Sequence, residues 1–288
     1  MWFDLLMSSE TTTATPEQTR EAMTTLSRRR YTQIRSILVQ LPERGAPRAS
    51  TVSKMLHGRK HRALLLYLLL LTCWPWLEER RNPLEGSIWI RALTSKSGLT
   101  WTPSTLSRTW AELADLGLVE LPKKEGRLRR PRPRREDGAA DYDVPGGRRD
   151  RYNAYFSLPD EFWTEGLFAK LSLPALVMLL VIAKETNSKK TKEVWLPYEH
   201  MPEWYGISAK SAQKGITELL AERLLKRRPD VRPAPLSPTG STTHMYYSLT
   251  GVYGHTSRAA RRKKAASARA EREAQRALDA TSESQETS

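Results

Sequence analysis

Apolar residues fall in two blocks of the chain, and each block begins with a run that predicts a buried helix. The first block covers 60–159 and opens with an almost unbroken apolar run, which predicts a helix over 60–74. The triplet at 88–90, Ile-Trp-Ile, favours a short strand. A short helical stretch over 91–96 should follow it and stop at Gly98.

A second helix in this block is predicted from its first residues and from its apolar spacing. Thr102 and Pro103 are typical of a helix start, because Thr caps free N–H groups and Pro fits the first helical position. One apolar face follows at helical spacing, formed by Leu106, Trp110 and Leu113. A strand is predicted at 118–121. Beyond a polar, Arg-rich insertion over 123–151, its returning partner is predicted from the alternating residues Tyr152, Ala154 and Phe156.

The second block, 165–250, repeats this order of elements. Its predicted elements are a helix over 172–186, a strand over 194–196, a short helix over 198–204, a helix from Ser208 to about Arg223, a strand near 224–227, a Pro-rich loop over 229–240 and a closing strand around 245–249. The apolar stripe of the long helix is formed by Ala212, Ile216 and Leu219. The repeat is one of pattern rather than of residue identity.

The segments that flank the two blocks have weaker patterns. Residues 8–25 lack a core pattern, which indicates disorder or a loose helix from Pro16 onward. Spaced apolar residues predict a short amphipathic helix over 28–41, and a second short helix is predicted over 50–56. The tail carries seven basic residues and one acid over 258–272, which fits a helix, and its polar residues from Thr281 onward predict disorder.

The order of helix, strand, short helix, turn, second helix and β-hairpin leads to a family resemblance. The segment GLTWTPSTLSRTWAELADLGLVE, 98–120, resembles the helix-turn-helix and first wing strand of the winged-helix superfamily. The segment GISAKSAQKGITELLAERLLKRR, 206–228, is similar to a second, more compact example. The resemblance implies an α+β fold of two tandem winged-helix domains, preceded by a partly disordered extension and followed by a basic tail. The four segments are 1–59, 60–159, 160–254 and 255–288.

The resemblance also implies which residues would face DNA. In a winged helix-turn-helix, the second helix of the motif enters the major groove with the outward-facing residues near its N-terminus. In the first copy these are Ser104, Thr105, Ser107 and Arg108. In the second copy they are Lys210, Ser211, Gln213 and Lys214. Such side chains suit base edges and phosphates, although an ordinary solvated helix face carries the same residue types.

The wing of the first copy gives the stronger signal. The stretch 123–135 carries eight basic residues and one acid between the two predicted wing strands, and a solubilising loop is the alternative reading. Six arginines in it suit phosphate contacts and insertion into a narrow minor groove: Arg127, Arg129, Arg130, Arg132, Arg134 and Arg135. The acids that follow are expected to shield them when DNA is absent: Glu136, Asp137, Asp141 and Asp143. The contacts expected from the second wing are Arg227, Arg228 and Arg232.

Composition narrows the choice of partner. The 288-residue chain has a formal net charge of +15, which favours DNA, RNA or an anionic membrane. Its apolar run of twelve residues, 63–74, is shorter than the ~20 that a membrane span needs. The single cysteine, Cys73, fits a reducing compartment. The histidines lack metal-ligand spacing and no phosphate-binding glycine loop occurs, so we expect no enzyme, cofactor, metal or small-molecule ligand.

These observations predict a sequence-specific binder of double-stranded DNA in the cytoplasm, at the nucleoid, with regulation of transcription as its role. The alternative is a plasmid-type initiator of DNA replication, since such proteins also resemble two fused winged helices on a basic chain. A winged-helix protein-interaction module is the lesser alternative, and RNA binding also stays open. The sequence leaves open whether the chain forms a homodimer and whether 258–272 is a third DNA contact or a solvated helix.

Overall fold

Helices and small antiparallel sheets alternate along the chain in an α+β architecture. The computed structural model describes residues 13–43, 48–80, 82–122, 130–146, 150–188 and 190–286. The helices are α1 (Pro16–Leu26), α2 (Thr51–His57), α3 (His61–Leu77), α4 (Gly86–Leu93), α5 (Pro103–Asp115), α6 (Glu161–Thr164), α7 (Leu167–Lys170), α8 (Leu173–Glu185), α9 (Met201–Tyr205), α10 (Ala209–Ala221) and α11 (His255–Glu286). The strands are β1 (Tyr31–Arg35), β2 (Val119–Glu120), β3 (Arg132–Pro133), β4 (Tyr155–Pro159), β5 (Val194–Trp195), β6 (Leu225–Pro233) and β7 (Ser241–Leu249).

The long helices predicted from apolar spacing are confirmed. Helix α3 is buried on all sides from Ala63 to Trp74, which fits a run with hardly any polar residue. It packs against α5 and β1, and so forms the centre of the first half of the chain. Helices α5 and α10 begin directly after the predicted caps, Thr102 and Ser208. Helix α8 covers most of the predicted range 172–186 and is capped by Ser172. Among the described residues, no helix is both long enough and apolar enough to cross a membrane.

The strand predicted at 88–90 is wrong, because these residues lie inside helix α4. Trp89, Ala92 and Leu93 are the buried residues of α4, and their spacing is helical. The Trp89 ring meets the Trp110 ring of α5 edge to face, with 5.4 Å between the ring centroids. This packing outweighs the β preference of the Ile-Trp-Ile triplet. The helical stretch predicted over 91–96 is correct only for 91–93, since α4 ends at Leu93.

The amphipathic helix predicted over 28–41 is likewise wrong. Residues 31–35 form β1, which pairs antiparallel with β4, and Ile34 lies opposite Phe156. The segment nevertheless supplies core residues, since Ile34, Ile37 and Leu38 are all fully buried. A 3-10 turn over Ser36–Leu38 follows the strand, so apolar residues reach the core without a regular helix. Helix α1 begins at Pro16, as one of the two readings of 8–25 anticipated.

The returning strand of the first hairpin is β3 and not the segment that contains Tyr152. Strand β3 pairs with β2, and Val119 lies opposite Pro133. Of the alternating residues Tyr152, Ala154 and Phe156, only Phe156 lies in a strand, β4, whose partner is β1. Four of the five residues of β4 are buried, so the half-buried strand predicted there is wrong. An alternating pattern shows which face of a strand is buried and leaves its partner undefined.

The second half of the chain closes on a three-stranded sheet with the order β5-β7-β6. The Pro-rich loop predicted over 229–240 is shorter than expected, because β6 continues through Pro229 to Pro233. An edge strand can hold prolines, since their missing N–H groups can point away from the neighbouring strand. A turn over 234–240 joins β6 to β7 and is closed by a hydrogen bond from the Ala234 N–H to the Gly240 carbonyl, at 2.9 Å.

The two halves share one hydrophobic core, and the N-terminal segment contributes to it. Helix α2 packs against both α3 and α8. The Ser53 hydroxyl of α2 donates a hydrogen bond of 2.8 Å to the carbonyl of Gly206, in the turn between α9 and α10. Gly206 has a φ of +65° and lies so close to α2 that a Cβ would collide with Ser53, so both backbone shape and space favour glycine there.

The disorder predicted from Thr281 onward is wrong, because helix α11 continues through Glu286. The residues of this segment are mostly good helix formers, such as Ala, Glu, Gln and Arg, and no Gly or Pro interrupts them.

Candidate nucleic-acid interface

Helix α5 has an apolar face in the core and a polar face in solvent. Leu106, Trp110 and Leu113 are buried, as predicted from their spacing. Ser104, Ser107 and Arg108 are exposed. The polar face lies in the first two turns, where the free backbone N–H groups of a helix give a partial positive charge.

Thr105 differs from Ser107 and Arg108 because it takes part in the helix cap, and the Ser104 hydroxyl also lies 3.2 Å from the Thr102 hydroxyl. The Thr105 backbone N–H donates to the Thr102 hydroxyl oxygen at 3.2 Å, and the Thr102 N–H donates to the Thr105 hydroxyl oxygen at 2.6 Å. The Thr105 hydroxyl also donates to the Thr102 carbonyl at 2.9 Å. The Thr105 hydroxyl is therefore already hydrogen-bonded within the chain, and the residue is half-buried.

Helix α10 has the same division with more charge. Its buried residues include Ala212, Ile216 and Leu219, and its N-cap Ser208 accepts a hydrogen bond from the Ser211 backbone N–H at 3.2 Å. Ser211 is half-buried beside the cap. Lys210, Gln213 and Lys214 are exposed. Within the described part of the chain, neither lysine has a carboxylate within ion-pair distance.

Four of the six arginines predicted for the first wing can be placed, since Arg127 and Arg129 lie outside the described residues. Arg132 is exposed on β3, and Arg130 is half-buried and donates to the carbonyl of Arg80 at 2.6 Å. Arg134 is half-buried, and its backbone is held by Leu118 and by the Tyr67 hydroxyl.

Arg135 has carboxylate and aromatic partners within the chain. Its Nε and Nη2 donate to the two oxygens of Asp137 at 2.9 and 2.8 Å, and its guanidinium lies 5.5 Å from the ring centroid of Tyr152. Burial alone would raise the pKa of the Asp137 carboxyl, but hydrogen bonds from Arg135 and the Ala139 N–H hold that pKa below its usual value. Of the four described arginines in this predicted wing, only Arg132 is therefore exposed.

The expectation that four acids shield the wing arginines is correct only for Asp137. Glu136 and Asp143 bind Arg35 instead, a residue that the sequence did not single out. Arg35 is fully buried and donates to Glu136, to the Asn153 amide oxygen and to the Asp143 carboxylate. Asp141 lies opposite Arg134 in an isolated backbone bridge. The residues around Arg35 are a mixture of polar and apolar types, so nothing in the local sequence signals this network.

The segment predicted as the second wing forms the β6–β7 hairpin, and its three arginines differ in their partners. Arg228 forms an ion pair with Glu193 at 2.8 Å and lies 4.9 Å from the ring centroid of Tyr246. Arg232 forms an ion pair with Asp230 at 2.8 Å. Arg227 is exposed and has no carboxylate partner among the described residues. Lys226, the residue before Arg227 on β6, is also exposed and has no carboxylate partner among the described residues, so the unpaired positive charge of this hairpin lies at these two residues.

The base of the basic tail is part of the fold. Arg258 is buried and donates hydrogen bonds of 2.8 Å to the carbonyls of Tyr253 and Ala183 and to the Thr186 hydroxyl. Burial lowers the pKa of its guanidinium to about 10, with a smaller contribution from the charge of Arg262. Because Arg258 holds the start of α11 against α8, it does not belong to a DNA-facing surface.

Comparisons of the chain with protein-family models, with curated proteins and with solved structures gave no match.

Proposed function

We propose that this chain binds double-stranded DNA through two winged-helix units in tandem. In the second half, the order α8, β5, α9, α10, β6 and β7, with β7 in the middle of the sheet, is the order of a winged helix. In the first half, α3, α4 and α5 followed by the β2–β3 hairpin correspond to the same plan without the short first strand. The sequence resemblance and these element orders support the same assignment.

The exposed N-terminal face of α10 is the observation that carries the proposal. Lys210, Gln213 and Lys214 lie in solvent at the end of the helix where backbone N–H groups favour anions. The opposite face is held in the core, so these side chains are presented on a fixed support. Lysines without carboxylate partners can bind phosphates without first breaking an ion pair.

An anisotropy titration against a random-sequence 30-bp duplex, repeated over a salt series, tests this proposal. Replacing Lys210 and Lys214 together by alanine should make the plot of log affinity against log salt shallower by about 2, since each lost phosphate contact removes about 0.9. The matched control replaces Lys190 and Lys192, two exposed lysines before β5, and should leave the slope unchanged. Equal slopes in all three proteins would refute the assignment of α10.

Regulation of transcription is the role that we assign to this binding, with initiation of plasmid replication as the alternative. Selection of the preferred duplex from a random pool, followed by mapping in the DNA around the gene, separates the two. An inverted repeat over a promoter supports regulation, whereas direct repeats close to the gene itself support initiation.

A further inference from the structure

A groove of about 540 Å³ lies between the turn after α1 and the first turns of α11. It is rich in cationic side chains from two distant parts of the sequence, and small residues form much of its helical wall. Its lining residues are Arg28, Arg29, Arg30, Glu161, Ser257, Ala260, Arg261, Lys264, Ala265 and Ala268. Residues 28–30 lie within the amphipathic helix predicted over 28–41, and the sequence alone predicts no function for these arginines.

The positive charge of this groove is only partly neutralised. Its single carboxylate, Glu161, is paired with Arg261 at 2.6 Å. Arg261 also donates to the carbonyl of Arg30 at 3.1 Å and so ties the two walls together. Across the described residues, Arg28, Arg30 and Lys264 have no carboxylate within ion-pair distance, and Arg28 and Arg30 are exposed. The groove therefore presents three unpaired cations to solvent.

The turn holds two arginines in a backbone conformation that is unfavourable for residues other than glycine. Arg28 has a φ of 57° and Arg30 a φ of 63°, in the left-handed region that favours glycine. If only the stability of the turn mattered, glycine would be favoured over arginine at both positions. Residues held in such conformations are concentrated at binding and catalytic sites, where the side chain is needed despite the strain.

The helical wall continues the basic surface away from the groove. Residues 261, 264, 265, 268 and 272 are spaced so that they share one face of α11, which places Arg272 in line with Arg261 and Lys264. The alanines between them let an extended ligand approach the helix closely. Arg272 is exposed. A row of cations along one helix face fits a linear polyanion better than a compact one.

We propose that this groove binds the phosphodiester backbone of duplex DNA, outside the segments contacted by α5 and α10. The proposal rests on the proposed function, because it adds a third contact to the same complex. Guanidinium groups match phosphate oxygens in shape and charge, so Arg28 and Arg30 would hold one phosphate region while Lys264 and Arg272 follow the strand. The contact depends on charge and carries no base specificity.

The test uses the full chain with Arg28 and Arg30 both replaced by glycine. Glycine accepts the left-handed backbone at both positions, so this variant removes charge without disturbing the turn. Arg223→Gly is the matched control, because Arg223 is also exposed, has a φ of 57° and lies at the far end of α10 from its proposed DNA face. A third variant, Lys264→Ala with Arg272→Ala, removes charge from the opposite wall.

Affinity for a random-sequence 40-bp duplex is measured over a salt series for each protein. We expect the salt slope to fall by about 2 in R28G/R30G, since each phosphate contact contributes about 0.9, and to fall in K264A/R272A, with R223G equal to the parent chain. If the parent binds DNA and R28G/R30G has the same slope as R223G, this inference fails and the proposed function stands. If the parent does not bind DNA, both fail. Binding of ATP that R28G/R30G abolishes and that 40-bp DNA does not displace would overturn the groove as a DNA contact and assign it to a small phosphorylated ligand.

Discussion

Arg35 and Glu136 form an ion pair with 2.9 Å between Nη1 and Oε2, and both side chains are fully buried. The backbone N–H of Arg35 donates to the second oxygen of Glu136 at 3.0 Å, so both carboxylate oxygens are bonded. The Thr51 hydroxyl donates to the Glu136 carbonyl at 2.8 Å. Strand β1 and helix α2 thereby fix the position of the segment that follows strand β3.

Arg35→Met should destabilise the fold by about 3–5 kcal/mol, because it leaves a buried carboxylate without its partner. The free energy of unfolding in urea is the measurement. The double variant Arg35→Met with Glu136→Leu should recover much of the loss, since neither charge then remains buried. A loss below about 1 kcal/mol in the single variant would contradict the buried pair.

Asp160 should make stability depend on pH. Burial raises the pKa of its carboxyl to about 7, with a further contribution from the charge of Glu161, and neither carboxylate oxygen has a hydrogen-bond partner among the described residues. An unfolded Asp has a pKa of about 3.9, so the folded state holds the proton more tightly. This contribution to stability is complete below about pH 4 and is lost as the pH rises towards and through 7.

Asp160→Asn keeps the shape of the side chain and removes its titration. Between pH 4 and 8, the variant should show a flatter decline in the free energy of urea unfolding than the parent chain and should be the more stable of the two at pH 8. Parallel pH profiles for the two proteins would show that Asp160 does not titrate in this range.

The cap of α5 should contribute to stability and leave the exposed face intact. Thr102→Ala removes the side-chain acceptor for the Thr105 N–H and should cost about 1 kcal/mol in urea unfolding. Ser107→Ala, on the exposed face and outside the hydrogen bonds of the cap, should change stability by less than about 0.5 kcal/mol. Equal losses in the two variants would mean that the cap is not specific to Thr102.

Gly215 should not tolerate a side chain. It lies where α10 crosses α8, and a Cβ there would collide with the carbonyl oxygen of Pro174. Gly215→Ala should therefore lower the thermal midpoint, at a cost of about 1–3 kcal/mol for overpacking. Gly146→Ala is the control, because a Cβ at Gly146 meets no atom within 4 Å. No difference between these variants would contradict the close packing of the two helices.

Local signals were sufficient to predict the helices that carry the proposed interface. In α5 and α10, the cap residue and the apolar stripe lie within one short segment, so spacing alone separates the buried face from the exposed one. Lys210 and Ser104 were therefore placed in solvent correctly. Thr105 was not, because its side chain serves both the predicted face and the cap.

Contacts between residues that are far apart in the sequence could not be predicted. Glu136 lies 101 positions from Arg35, and nothing in either segment identifies the other as its partner. The same holds for β1. The spacing of its apolar residues also fits a helix, and only the pairing with β4 identifies it as a strand. The groove beside α11 is a further case, since the turn at 28–30 and Lys264 meet only in the folded chain.

A hydroxyl-radical footprint of the full chain on its selected duplex tests the central claim most directly. Two winged-helix units on one face of DNA should protect roughly 20 bp or more, in two segments about one helical turn (~10 bp) apart. Lys210→Ala with Lys214→Ala should lose one of the two segments and keep the other. A single protected segment of about 10 bp that this variant leaves unchanged would contradict binding through two units.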